Sequence, residues 1–531
     1  MTSGSDFAKR PAIMAVDLGT TSAKAVAVSV RSLTEGGDGG FVLAKAERDY
    51  PLLVPSPGYA EQEPERIRSA AEGAVREALA LAGLTAGDIA AVAFSSAMHA
   101  LIAVDAAGDP LTPCITWADQ RAAAMARRLR ETGHASRLAQ RTGVPVHAMT
   151  PLCKLMWLRE REPELFAAAA AFVGIREYVF ARWCGGPYLS DESVAGGTGL
   201  YNVHTGAWDP EALALAGIGE ERLPVLVPSS FAAPGGLLPG PAAAMGLAAG
   251  TPVVIGGADG VLANLGAGAV EPGVAAVTVG TSGAVRVALP RPAADAAGRL
   301  FCYPAGGGLW IAGGPVNSGG VVLRWLRDKL VPADAQAAVA AGEDPYERLV
   351  SLALEVPPGA DGLLCLPHLA GERAPHWDED ARGVFVGLSL GHDRRHMIRA
   401  ALEGIVFGLR AVAEAVAELG GPIREIRVSG GFFRSAPLRQ LTADMIGCPV
   451  AMADTSDASA LGAARFALEA LGLQAGPAPG IAELRHPDAG ASAVYNRLYP
   501  VYRSLYGSLA AAFADIASFQ RDWQMRDVST K

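Results

Sequence analysis

Two segments about 260 residues apart share a pattern that strongly limits how this chain can fold. Residues 17–24 read DLGTTSAK and residues 278–285 read TVGTSGAV, and apolar, β-prone runs flank both. Each pattern predicts a β-hairpin with a Gly/Thr/Ser turn. Because solenoid repeats have periods of only about 20–50 residues, this wider spacing predicts two domains of related design.

Strand and helix patterns alternate around both hairpins, which indicates an α/β chain. Helices are predicted at 64–81, 396–419, 437–446 and 458–471, and strands at 91–96 and 425–431. The Gly- and Pro-rich stretch 223–250 has little periodicity, so surface loops are predicted there. The predicted division is an N-terminal domain at 12–257, a C-terminal domain at 258–472 and a C-terminal extension at 473–531.

Composition excludes several classes of protein. Of 531 residues, 50% are hydrophobic and 19% charged, so the chain can bury sizeable cores and is not intrinsically disordered. The net charge of −9 argues against a nucleic-acid-binding protein. Prolines interrupt the longest charge-free stretch, 223–258, so no membrane helix is expected. Scattered cysteines and the lack of an apolar leader favour a cytoplasmic location. The sequence leaves open whether the protein forms a homodimer.

The two turns carry groups that bind phosphate. The candidate donors are Gly19, Thr20, Thr21 and Ser22 in the first turn and Gly280, Thr281 and Ser282 in the second. Asp17 ends the first strand, where it can hold Mg²⁺ through water, and Lys24 can neutralise phosphate charge. Two such turns facing each other would hold a polyphosphate, as backbone amides do in anion nests. Either turn alone is equally well an ordinary hairpin.

Asp259 follows a buried strand pattern in the sequence GGADG. Phosphoryl transfer to an alcohol needs a carboxylate that orients the hydroxyl and accepts its proton. Local evidence alone favours a helix or turn cap. The position of Asp259 between the two phosphate turns favours the general base instead, and adds it as a candidate magnesium contact.

Another group of polar and aromatic residues follows the strand at 91–96, where ligands bind in open α/β sheets. The candidates for contact with a sugar are Met98, His99, Trp117, Asp119 and Arg121. Three of them have a structural alternative: His99 as a buried histidine, Asp119 as a helix cap and Arg121 as a solvated arginine. Candidates for close approach to a nucleotide are Gly320, Gly430 and Gly431, although a lone Gly-Gly pair is a weak signal.

Together these motifs resemble the FGGY family of carbohydrate kinases, from about residue 13 to 471. GVFVGLSLGHDRRHMIRAALE at 383–403 fits the C-terminal family signature, and MTPLCKLMWLRE at 149–160 resembles the N-terminal one, except at Arg161. The resemblance implies two actin-like, ribonuclease H-like domains with ATP and sugar meeting in a cleft between them. It also implies Mg²⁺-ATP as donor and Asp259 as base. The implied phosphate contacts are Thr20, Thr21, Lys24 and Thr281, the nucleotide contacts Gly320, Gly430 and Gly431, and the sugar contacts Met98 and His99.

Three loops are most similar to the gluconate kinases of that family: SSAMHALIAVD, ITWADQRA and SDESVAGGTGLYNVHTGAWD. The resemblance implies phosphorylation of D-gluconate to 6-phospho-D-gluconate. Arg121 or His99, with Arg373 behind them, are the candidates to bind the substrate carboxylate. A xylulose kinase or another neutral-sugar kinase is the first alternative. An actin-like ATPase without a sugar substrate is the second.

Overall fold

The computed structural model describes residues 10–36, 40–453 and 457–529. The chain separates into two compact α/β units, each built from more than one segment. The first contains Met1–Glu271, Ala288–Ala312 and Asp454–Gly480, and the second Pro272–Val287, Gly313–Ala453 and Ile481–Lys531. Each unit is made of three separate segments, whereas the predicted domains are continuous stretches of sequence. The predicted domain boundaries therefore stay a prediction.

A five-stranded mixed sheet forms the centre of the first unit. Its strand order is Val253–Ala258, Ile89–Ser96, Ala12–Leu18, Ser22–Ser29 and Val42–Asp49. The first three of these strands run parallel, and the remaining two continue the sheet as antiparallel neighbours. Every residue of Ile89–Ser96 is buried, which explains why the sequence is continuously apolar from Ile89 to Phe94.

The first hairpin and the first long helix confirm their predictions. Ala12–Leu18 pairs with Ser22–Ser29, with Asp17 opposite Lys24. The helix spans Pro64–Leu81 with its proline at the first position, where the missing N–H costs nothing. Its apolar face packs on the sheet through buried residues such as Ile67, Ala71 and Val75.

The 223–250 stretch was predicted to be surface loop, and this is wrong in part. The structure forms a short strand at Val225–Val227 and a helix at Pro239–Met245. Leu237 and Met245 are buried in the core of the first unit. These elements are too short to repeat an apolar period, so the sequence pattern gave no signal for them.

The remaining elements of the first unit are short. Its helices are Val30–Glu35, Ala123–Glu131, His134–Thr142, Pro151–Arg161, Pro163–Ala168, Ile175–Cys184, Glu192–Gly196, Pro210–Ala216, Asp259–Gly266 and Ala458–Ala470, with single turns at Ala86–Asp88 and Glu220–Arg222. Its short strands are Glu61–Gln62, Ile102–Val104, Cys114–Ile115, Ala171–Val173, Leu189–Asp191, Tyr201–Asn202, Ala207–Trp208 and Phe301–Pro304.

The sheet of the second unit is built around the second predicted hairpin, which is also confirmed. Six strands of this seven-stranded sheet follow the order Trp310–Val316, Gly283–Leu289, Val274–Val279, Glu425–Ser429, Val450–Ala453 and Ile481–Arg485. The other elements are Gly320–Trp325, Leu326–Leu330, Pro332–Ala340, Pro345–Leu354, Ala360–Gly362, Leu364–Leu366, Val384–Val386, Arg394–Gly420, Gly431–Arg434, Ala436–Ile446 and Ala489–Ser529. Among the described residues, no helix is long and apolar enough to cross a bilayer.

Two helices of the first unit cross at glycines. A Cβ on Gly462 would overlap the backbone of Leu262, and a Cβ on Gly266 would overlap the backbone of Ala458. The helix Asp259–Gly266 therefore packs backbone to backbone against Ala458–Ala470. Asp259 stands at the first position of the helix that this contact fixes.

We predict that Gly462→Ala destabilises the protein, because the obstructing atoms are backbone and cannot rotate away. We expect a loss of about 1–3 kcal/mol in the free energy of unfolding, measured by urea denaturation. Gly507→Ala is the matched control, since that helical position is exposed and open. It should gain about 0.5–1 kcal/mol. Equal behaviour of the two variants would contradict the close helix contact.

Candidate functional site

The three parallel strands of the first unit bring polar groups to one edge of the sheet. Asp17 is the register partner of Ser95, and Ser95 is the partner of Gly257. Asp259 follows directly after the last of these strands. Both aspartates therefore stand at the edge of the sheet formed by the carboxyl ends of the parallel strands. They are two strands from each other, and neighbouring strands lie about 4.8 Å apart.

Asp17 is a carboxylate in an unfavourable place for its charge. Burial raises its pKa above the ordinary value of 3.8. The Ser95 hydroxyl, which donates to its Oδ1 at 2.7 Å, and the Lys24 ammonium oppose this shift. Asp457 adds to it, and the same Lys24 Nζ lies 3.7 Å from Asp457. Lys24, predicted as a phosphate contact, thus already balances two carboxylates of the protein.

The turn at 19–22 has its carbonyl oxygens bound inward. Tyr50 donates its hydroxyl to Gly19 and Ser22 at 2.6 and 2.9 Å and its amide to Thr21 at 2.9 Å. The Gln62 amide binds the carbonyl of Thr20. The amides of Thr20 and Thr21 make no hydrogen bond within the described parts of the chain. Unbound N–H groups with bound carbonyls give this turn the polarity of an anion nest.

The second unit brings its predicted glycines to one place. The amide of Gly320 donates to the carbonyl of Gly280 at 2.7 Å, and a Cβ on Gly320 would lie 2.6 Å from that oxygen. Val321 similarly binds the carbonyl of Thr281 at 3.0 Å. Gly430, at φ 98°, leaves its strand so close to the backbone of Val279 that a side chain would overlap it.

The other candidates of the second unit have less defined surroundings. A Cβ on Gly431 would meet nothing within 4 Å. Ser282 accepts the amide of Gly280 at 2.9 Å and so closes the turn. Arg373 donates to Asn317 Oδ1 at 2.7 Å and to the carbonyl of Val316 at 3.2 Å. Its guanidinium is therefore held by its own unit.

His99 is the most constrained of the sugar candidates. Its backbone has a positive φ of 66°, which is costly for any residue other than glycine. Its Nδ1 donates to the carbonyl of Gly197 at 2.7 Å, and the ring of Tyr303 lies edge-on at 6.4 Å. A Cβ on Gly197 would overlap Met98, so glycine makes room for the Met98–His99 pair.

Trp117 links the sugar candidates to the phosphate turn. Its indole Nε1 donates to the hydroxyl of Thr20 at 2.7 Å. That contact holds the edge of the indole against the phosphate turn.

Asp119 and Arg121 form a closed ion pair instead of offering free groups. The carboxylate of Asp119 is fully buried and accepts from the backbone amide of Ala60 at 2.7 Å and from Arg121. Arg121 also binds Glu61 and lies 3.9 Å over the ring of Tyr59. Both residues are bound within the protein, so their geometry fits a role in holding the loop that carries Trp117.

Sequence reasoning missed a buried charge network behind Asp259. Ser193 Oγ accepts the amide of Ala258, the residue before Asp259, at 2.8 Å. The same hydroxyl donates at 2.6 Å to Asp191, which in turn binds the fully buried Arg176. A lone arginine within the apolar run FVGIREYVF was the signal available for this network.

Family models match most of the chain. Residues 12–266 match the N-terminal domain of the FGGY family of carbohydrate kinases, and residues 275–471 match its C-terminal domain. The chain belongs to the FGGY family of carbohydrate kinases. It is therefore an ATP-dependent sugar kinase with an α/β fold of two domains, as the sequence motifs predicted.

Individual members resemble the chain over nearly its full length. It is 40% identical to a gluconokinase of Bacillus subtilis over 96% of this chain and 98% of that one. A solved gluconate kinase from Lactobacillus acidophilus matches with a TM-score of 0.87 and 32% identity, covering 95% and 99% of the two chains. A ligand-bound xylulose kinase structure from the same organism gives the same values, so overall fold does not separate the two substrates.

We predict that Asp17→Asn stabilises the protein near neutral pH. The raised pKa means that the ionised Asp17 carries a burial penalty, which disappears as pH falls through the raised value towards 3.8. The gain in melting temperature should therefore be largest near pH 7 and shrink in acid, measured without nucleotide. Asparagine keeps the acceptor for Ser95.

Asp88→Asn is the control of opposite sign. Hydrogen bonds from Thr85 lower the pKa of Asp88, so losing its charge should lower the melting temperature near pH 7. A lower melting temperature for Asp17→Asn as well would show that burial is not the dominant influence on Asp17.

Proposed function

We propose that this kinase transfers the terminal phosphoryl group of ATP to D-gluconate, giving 6-phospho-D-gluconate. The observation that carries the proposal is the 40% identity to a gluconokinase along almost the entire chain. The loops around Met98, Trp117 and Asp191 support it, because their sequences resemble those of gluconate kinases. Membership of a carbohydrate kinase family leaves no support for an ATPase without a sugar.

Asp259 is the proposed general base. It follows the strand Val253–Ala258 at the sheet edge, and its Oδ1 accepts the amide of Gly260 at 2.6 Å. A carboxylate so fixed can orient a primary hydroxyl and accept its proton as the phosphoryl group transfers. The first-turn amides and Thr281 are the proposed phosphate donors. Catalysis of this type depends mainly on positioning and on charge stabilisation.

The residues at the sheet edge fit a magnesium ion. Mg²⁺ prefers carboxylate oxygens and is commonly held by one or two of them together with substrate phosphates. Asp17 and Asp259 supply such oxygens, and Asp17 carries a charge that burial disfavours. When bound, the ion would neutralise phosphate charge. Lys24, shared between Asp17 and Asp457, would keep the carboxylates in place.

The sugar acid is proposed to lie against His99 and Trp117. Arg121 is a weaker partner for its carboxylate than the sequence indicated, since Asp119 and Glu61 already bind the guanidinium. His99 remains the better candidate. Xylulose stays the second candidate substrate, because a xylulose kinase structure matches as well as the gluconate kinase does.

A substrate panel tests the proposal. ADP release by the purified protein with Mg²⁺-ATP should be strong with D-gluconate and weak with D-xylulose, L-ribulose, L-fuculose and glycerol. Strong turnover on a neutral sugar would overturn gluconate as substrate and retain the family assignment. Turnover that is independent of any sugar would overturn the proposed reaction altogether.

We predict that Asp259→Asn lowers kcat by about 10²–10⁴-fold, since the amide cannot accept the proton. The KM for ATP should change little. Steady-state kinetics measure both values, with Asp109→Asn as a control, because that carboxylate is exposed and paired with Arg182. A fall of less than about tenfold would mean that Asp259 is not the base.

A further inference from the structure

Lys154 is a fully buried cation that the mechanism above does not use. It lies on the helix Pro151–Arg161, which Thr150 caps by accepting the amide of Cys153. The two residues on either side of it, Leu152, Cys153, Leu155 and Met156, are apolar and buried. Placing an ammonium there is costly unless every N–H has an acceptor, so the contacts of this group must compensate a large desolvation cost.

Three backbone carbonyls meet the Lys154 ammonium. Its Nζ donates to His99 at 2.5 Å, to Thr116 at 2.8 Å and to Ile115 at 3.1 Å. An ammonium has three N–H donors and no acceptor, so the set matches its capacity. A neutral amine could serve only two of these carbonyls.

Two of the three carbonyls belong to the loops that carry the sugar candidates, and the third belongs to Ile115, which ends the strand before Trp117. One is the carbonyl of His99 itself, in the strained conformation at φ 66°. Another belongs to Thr116, directly before Trp117. Lys154 therefore joins, through a single atom, two segments that are 17 residues apart in sequence and hold the proposed sugar contacts.

The His99 ring is held separately from its backbone. Gly197 accepts Nδ1–H, while Lys154 binds the carbonyl of His99. Strained backbone conformations persist only where the surroundings fix them from several sides. Without the ammonium, His99 has a direct route to relax towards negative φ, and its ring would turn away from the position that Gly197 sets.

The charges around the ammonium do not give it a direct ion pair. Asp119 and the thiols of Cys114 and Cys153 favour its charged form, and Arg121 disfavours it. Burial is the largest influence and lowers the pKa of Lys154 to about 7. Asp119 is already bonded to Arg121 and to the amide of Ala60. The ammonium of Lys154 therefore makes its hydrogen bonds to the three carbonyls and not to a carboxylate.

We propose that Lys154 is a positioning residue for sugar binding, which holds the backbones of His99 and Thr116 so that His99 and Trp117 present one surface to the substrate. This rests on the proposed sugar contacts of His99 and Trp117, and not on gluconate being the sugar. A purely structural lysine would stabilise the fold without selectively affecting sugar kinetics.

Lys154→Met tests the proposal, assayed with whichever sugar the unaltered enzyme accepts. We expect kcat/KM for the sugar to fall by about 10–100-fold, because small displacements of binding groups cost rates of this size. The KM for ATP should stay within about twofold of its starting value. Lys329→Met is the matched control, since Lys329 is exposed and in the second unit. Parallel losses for sugar and ATP, or no selective loss for sugar, would overturn the proposal.

A double-mutant cycle separates positioning from general damage. In a His99→Ala background, Lys154→Met should reduce kcat/KM for the sugar by clearly less than it does alone, because the imidazole ring that Lys154 positions is already absent. Additive losses would overturn the link through His99. Where Lys154→Met does not fold, Lys154→Gln carries the same tests, since its amide keeps two N–H donors.

Discussion

The register of three parallel strands is the constraint on which the first unit depends. Ala12–Leu18, Ile89–Ser96 and Val253–Ala258 are buried almost throughout, and their two faces pack in different core clusters, with Phe94 on one face and Ala93 on the other. A shift of one residue would exchange large and small side chains between these clusters. Their ends are therefore fixed with respect to one another. Asp17 and Asp259 reach the same sheet edge because the packing of both faces of the sheet fixes this alignment.

Buried charges then hold the loops that leave this edge. Arg176 with Asp191 supports the backbone before Asp259, and Lys154 supports the backbone of His99. Such groups add little net stability compared with apolar residues of the same size, because desolvation offsets their attraction. Removing one partner, however, leaves a costly unpaired group. The arrangement exchanges stability for a single backbone geometry, which is what a binding site requires.

The sequence predicted those parts whose signals are local. Hairpins, the helix Pro64–Leu81 and Asp259 after its strand are readable because turn residues, apolar periods and capping act over a few positions. Lys154 and Arg176 escaped prediction because, apart from Glu177 beside Arg176, their partners lie 14 to 79 residues away along the chain. Arg121 was a candidate contact for the substrate for the same reason, since its partner Glu61 lies 60 residues away in the sequence.

The bonds that already hold the cations of the first unit also affect how the protein would distinguish an acidic sugar from a neutral one. Of the cations near the proposed sugar contacts, Arg121, Lys154 and Arg176 are bound to protein oxygens in the described structure. Adding a substrate carboxylate to any of them would mean breaking a buried bond, at a cost comparable to the new one. Discrimination for gluconate is then better served by the half-buried His99 and by neutral donors such as backbone amides. On this argument substrate choice within the fold depends on loop backbone geometry, which explains why gluconate and xylulose kinase structures match the chain equally well.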